Sequence, residues 1–272
     1  MKQKFPILFI LFAFFACQNA VAQRGVFTMN ADIGAGLPSG VSTLLSLNGN
    51  TYSISPYSVG AGFNIDLGGS YTIGNHIGAG LDLTDMIGFA QKSSINISSA
   101  SLTIHKTGSL FAATPYLSLF TRAGKFDPYA RFGIVIGSPS YTWSNTESGQ
   151  NNVNGTNTNL YSGGFAVGWY AAGGVQIAMN HFLSLNIELF DRDLTYLPTT
   201  LTNTQAYDGY LKQPTIKLVT SESSVNNLQV LSGQVLSAYT PFGSVGIKAG
   251  ISMRIEKGTK PLKAKRKRKK RE

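Results

Sequence analysis

Four acids and four bases sit at alternate positions of strand-like segments, and they are the residues of this chain best placed for charge chemistry. Asp32, Asp66, Asp82 and Glu188 stand against Arg122, Arg131, Lys248 and Arg254. Such a set can form a proton or ion path, or a salt-bridged plug that fills a polar interior. Catalysis by a nucleophile needs a base oriented by a third group. His76 and His181 each follow Asn in turn-like stretches, and His105, near Ser101 and Thr107, has no acid beside it in any readable motif. No cluster has metal-ligand spacing. The Gly-Ala-Gly triplets at 34–36, 60–62 and 78–80 lack the strand-to-helix context of phosphate loops. No catalytic residue, cofactor or metal is therefore expected, and the plug is the favoured reading of the charges.

The elements that must position these residues are strands. Side chains of a strand alternate between two faces. From Phe242 to Glu256, Val245, Ile247, Ala249, Ile251, Met253 and Ile255 fall on one face, with Ser244, Gly246, Lys248, Gly250, Ser252 and Arg254 on the other. The same apolar-against-polar alternation recurs near 26–36, 57–73, 77–84, 109–122, 128–138, 163–179 and 182–196. In the second segment Val59 and Ala61 fall on the apolar face. The glycines of the triplets fall on the polar one. Eight such segments predict an all-β fold, a closed antiparallel up-and-down transmembrane β-barrel with apolar faces toward lipid. In that barrel an arginine at Ile247 should impair insertion far more than one at Ser244.

The connections support closure. Gly74-Asn75-His76, residues 123–127 and Asn180-His181 read as tight turns, whereas 37–56, 90–108, 140–162 and 197–240 read as long polar loops. Short turns at one end and long loops at the other are the pattern of an outer-membrane barrel, with both termini in the periplasm. Ten strands are the alternative, using Ile216–Val219 and Leu228–Leu231. Pro214 and weak alternation argue against it, because proline cannot donate to a ladder and a closed ring offers no edge. These segments are expected instead as an extracellular hairpin.

The ends carry the net charge. Lys2 and Lys4, the apolar run Phe5–Ala16 and the Ala20-Val21-Ala22 site read as a secretory signal over 1–22. Cys17, the single cysteine, raises a lipoprotein alternative, which the bulky Phe14 and Phe15 disfavour. The barrel body, 23–256, is nearly neutral at −1, while 257–272 carries +9 of the chain's +10. Lys263, Lys265, Arg266, Lys267, Arg268, Lys269, Lys270 and Arg271 form a run that resembles a nucleic-acid arm. Export removes nucleic acid as a partner. A disordered periplasmic tail touching cell wall or anionic headgroups is expected.

The signal, the eight segments and the ending Pro241-Phe242-Gly243-Ser244-Val245-Gly246-Ile247-Lys248 resemble the OmpA/OmpX-type barrel domains of Gram-negative outer membranes, a porin-like family. Those families usually finish on an aromatic residue, where this chain has Met253-Arg254-Ile255 and a tail. The resemblance implies an outer-membrane barrel without catalysis, acting in envelope integrity or in surface recognition of an unknown ligand or protein partner. PorT-like secretion barrels are a second implied role, and a lipid-modifying enzyme using His105 a third.

Overall fold

The computed structural model describes residues 25–39, 42–48, 51–97, 100–121, 124–149, 155–207, 210–212, 215–219, 234–236 and 239–255. The proposed signal, the basic run from Lys263 to Arg271, and Arg122 lie outside these residues. Eight strands close a ring: β1 (Phe27–Pro38), β2 (Gly62–Thr72), β3 (Ile77–Gly88), β4 (Ala100–Phe120), β5 (Phe126–Gly149), β6 (Ala166–Ala178), β7 (Leu183–Tyr196) and β8 (Ser244–Ile255). Each pairs antiparallel with its neighbours in the ring, and β8 returns to β1.

Register fixes the barrel's shape. From Phe27 the paired residues run through Tyr71, Ala79, Leu117, Phe132, Ala171, Asp191 and Val245, and return to β1 at Leu37. One circuit thus climbs β1 from residue 27 to residue 37. A stagger of this size with eight strands demands a tilt of roughly 35–45°, leaving an interior just wide enough for side chains. Pro115 stands in mid-β4 without breaking the frame. Ala113 pairs with Ile136 and Tyr116 with Gly133, so the ladder to β5 lapses at 114–115 and resumes in the same register. The ring therefore tolerates a proline that the sequence argument assigned to edges.

Polarity is inside out. Ile33, Phe63, Leu67, Phe111, Phe132, Leu189 and Ile247 are all more than half exposed on the outer wall, a continuous apolar surface far beyond what a soluble domain exposes. Toward the loop end the outer row of β7 turns acidic, at Asp191 and Asp193. The three short connections lie together at the other end. Gly74 donates to the Ile77 carbonyl at 3.0 Å, the Asn180 carboxamide oxygen accepts from the amides of Phe182 (3.0 Å) and Leu183 (2.7 Å), and Gly124 bends through φ +104°.

The long connections are not irregular loops. β4 and β5 extend well past the apolar belt. Gln91–Ile97 pairs with β4, Gly155–Ser162 pairs with β5, and Thr200–Tyr207 pairs with Gly155–Ser162. Ser42–Asn48 and Thr51–Tyr57 form a hairpin. The ring has eight strands and not ten. Thr215–Val219 pairs with Thr200–Thr202, and Lys217–Val219 runs parallel to Gln234–Leu236; Leu228–Leu231 lies outside the described residues. Two boundaries also shift. β2 begins at Gly62, and Val59 and Ala61, expected toward lipid, are 2% and 1% exposed. They belong to a segment that folds over the mouth, where the Ser58 hydroxyl reaches the Pro241 carbonyl at 3.4 Å. Phe242 likewise packs inward with no exposure, next to Tyr196.

Candidate functional site: a two-layer lumen

The inner rows of the eight strands change character along the axis. At the loop end Val59, Met86, Leu110, Val135, Phe190, Leu194, Tyr196 and Phe242 belong to one buried apolar core. Below it comes the ionic layer, and at the turn end a polar vestibule. Alternation puts these side chains inside. The strand tilt decides which of them share a level.

The ionic layer is continuous. Lys248 and Glu188 are register partners on β8 and β7, and the Lys248 ammonium lies 3.0 Å from Glu188 Oε1 and 3.5 Å from Asp66 Oδ2. Across the lumen Arg131 Nη1 lies 3.3 Å from Asp82 Oδ2 and 3.4 Å from Glu188 Oε2. Asn30 then donates to Asp82 Oδ1 (3.2 Å) and to Asp32 Oδ2 (2.9 Å). Asn186 donates to the other oxygen of Asp32 and accepts from Ser252 at 2.6 Å. Thr84 donates to Asp66, and Tyr170 to Glu188. Aromatic faces complete the packing: Arg131 lies between the rings of Tyr116 (4.9 Å) and Tyr129 (5.0 Å), and Lys248 is 4.9 Å from the Tyr170 ring. Buried carboxylates satisfied in this way rigidify the interior, whereas any member left alone is costly.

Five of the residues singled out in the sequence thus meet: Asp66, Asp82, Arg131, Glu188 and Lys248. Asp32 joins through amides and makes no ion pair among the described residues. Arg254 stays apart, exposed at the turn end. Arg192 was missed. It is 3% exposed and donates to Asn64 Oδ1 (3.4 Å) and Ser244 Oγ (3.3 Å), at the boundary between the ionic layer and the apolar core. The alternation of β7 beyond Glu188 could have found it, since Phe190, Arg192 and Leu194 continue the inner row. Lys106 was missed as well. Its ammonium lies 4.1 Å from the Tyr57 ring and 4.0 Å from the Trp143 ring, above the belt. His105 is exposed on β4, in register with Lys92 and Ser144. His76 and His181 lie in the turn-end connections, His76 with Nδ1 3.1 Å from the Phe120 carbonyl.

Glycine makes room for the large inner groups. A Cβ on Gly68 would sit 1.8 Å from Asp82 Oδ1, its register neighbour, and one on Gly80 would sit 2.4 Å from the Tyr116 ring. The vestibule is a cavity of about 330 Å³, bounded by Arg131, Tyr116 and Tyr129 and reaching Arg254, Thr72 and Gly124 at the turn end. A second space of about 10 Å³ beside Arg192 and Lys248 has room for about one water.

Solved structures with similar folds are bacterial outer-membrane proteins. A major outer membrane protein from Thermus thermophilus has 11% identity over 86% of this chain and 100% of its own, with a TM-score of 0.45. OprG from Pseudomonas aeruginosa has 11% identity over 88% and 99%, with a TM-score of 0.43. Ail of Yersinia pestis has 10% identity over 86% and 100%, with a TM-score of 0.32. No protein-family model and no curated protein matches the chain. By its closed ring of eight strands, its stagger and its inside-out polarity, the chain has the small membrane-barrel architecture of the OmpA/OmpX type.

Proposed function

We propose that the chain is a non-conducting, non-catalytic barrel of the Gram-negative outer membrane that works through the β-structure above its belt. The expected secretory signal and the turn-and-loop asymmetry support this location. One observation carries the role: β4 and β5 continue past the belt and are widened by Gly155–Ser162 and Thr200–Tyr207 into an ordered wall. A lumen that holds an apolar core and an ionic layer needs no such wall. A surface that meets a partner does.

The two faces of the wall differ. One row alternates Trp143, Asn145, Asn157, Asn159 and Asn203, with Asn203 donating to Asn157 at 2.7 Å and also to Asn159. The other sets Ser144 beside Thr158 at 3.1 Å and carries Thr142, Thr156, Thr202 and Thr204. Amides, hydroxyls and an indole held on rigid strands suit recognition of polar surface molecules.

Tyr141 and Tyr161 are register partners with stacked rings 4.4 Å apart, so residues 142–160 can be replaced by an Asn-Gly turn without disturbing the ring. Nanodisc-embedded full chain and shortened chain are compared on panels of surface glycans and proteins. Recognition lost on shortening, with the heat-dependent gel shift retained, is the expected result. Binding that survives shortening, or single-channel conductance by the full chain, overturns the reading.

A further inference from the structure

We propose that the turn-end vestibule is a binding site for a small hydroxylated anion of the sugar-acid or sugar-phosphate class. The proposal rests on the fold and on the lumen's lower half, not on the role of the wall above the membrane. At about 330 Å³ the vestibule falls at the small end of the range for ligand pockets, about 300–1,000 Å³. On the loop side it is lined by Arg131, which is held in the ionic layer.

Its chemistry selects the ligand. The walls present hydroxyls from Thr28, Ser70, Ser118 and Ser252 and the amide of Gln176, suited to a polyhydroxylated molecule. The charged side chains of the lining are Arg131, Arg254 and Asp127. Arg131 is held by two carboxylates, and Asp127 accepts from the Gly124 amide at 3.2 Å. Arg254 makes no ion pair among the described residues, which leaves a cation at the mouth for an acid group. At the inner end the Tyr116 hydroxyl is buried next to the Ser70 hydroxyl, with no partner at full hydrogen-bond geometry. A buried hydroxyl held this loosely gains from a better-placed partner. The Tyr116 ring is fixed there by Gly80 and by the Arg131 guanidinium. A ligand with its acid at Arg254 and a hydroxyl at Tyr116 satisfies both groups.

The test uses the full chain refolded in nanodiscs and titrated calorimetrically with glucuronate, glucose 6-phosphate and glucose. Saturable binding of one or both anions, with glucose silent, is expected; which anion binds distinguishes a carboxylate ligand from a phosphate one. Arg254→Gln should weaken binding at least about tenfold, and Tyr116→Phe about three- to tenfold, the loss of one hydrogen bond. Both variants are checked for the heat-dependent gel shift. Arg254 is exposed, so its replacement keeps the test valid even if Tyr116→Phe disturbs the ring. No anion binding, glucose binding as well as glucuronate, or affinity unchanged in Arg254→Gln overturns the proposal.

Discussion

Lys248 and Glu188 face each other in register across β8 and β7, with the ammonium 3.0 Å from Oε1, and both side chains are almost wholly buried. The pair links two halves of the lumen, since Lys248 also reaches Asp66 and Glu188 also reaches Arg131.

Lys248→Met should therefore destabilise the barrel by about 3–5 kcal/mol, because Asp66 loses its cation in a buried site and Glu188 keeps only Arg131. Adding Asp66→Asn should recover part of that loss by removing the stranded charge. Urea unfolding in lipid vesicles, followed by the heat-dependent gel shift, measures both. A loss below about 1 kcal/mol, the scale of an exposed pair, would show that the site is wet.

Ile247 is 53% exposed on the outer row of β8. Ile247→Arg should cost about 2–4 kcal/mol near the midplane, whereas Asp193→Arg, at the loop-end rim, should cost roughly 0–1 kcal/mol. Folding yield into vesicles ranks the two. Ser244, which the sequence offered as the mild control, is unsuitable: it is fully buried against Gly36 and Arg192, and an arginine there would meet a second guanidinium.

Gly80→Val should destabilise the ring by about 1–3 kcal/mol, the cost of overpacking. Its Cβ would fall on the rigid Tyr116 ring. In a double-mutant cycle Gly80→Val should cost less in the Tyr116→Ala background than in the parent, and an unchanged cost would place the strain in the backbone, at the Gly69 carbonyl 2.8 Å from the same Cβ.

Tyr57, in the hairpin above the membrane, is pushed up to about 12, first by burial and second by Tyr161. A folded value above the unfolded one means that its stabilisation is complete below about pH 10 and is lost as pH rises toward 12. Near-ultraviolet circular dichroism should therefore show the hairpin loosening across that window, and Tyr57→Phe should shrink the transition. A transition unchanged by the substitution would assign it to another group.

Much of this molecule was legible in its residues. Period-two alternation is local, so the eight staves and the lipid-facing row of β8 could be read one strand at a time, and so could the tight turns. Order along the ring makes the strands of Glu188 and Lys248 neighbours. Arg254 and Asp32 could not be placed that way, since alternation gives a side chain its face but not its depth. Arg192 escaped because the reading of β7 stopped tracking the inner row where that row became apolar.

The sequence by itself determined the fold class, the faces and the closure of the ring, because each depends on side-chain order along single strands. Only the tertiary structure decided which charges meet, that Val59 and Phe242 turn inward over the mouth, and that β4 and β5 outrun the belt. Those features depend on the stagger between strands. The stagger is set by pairing around the whole ring, and no single segment contains it.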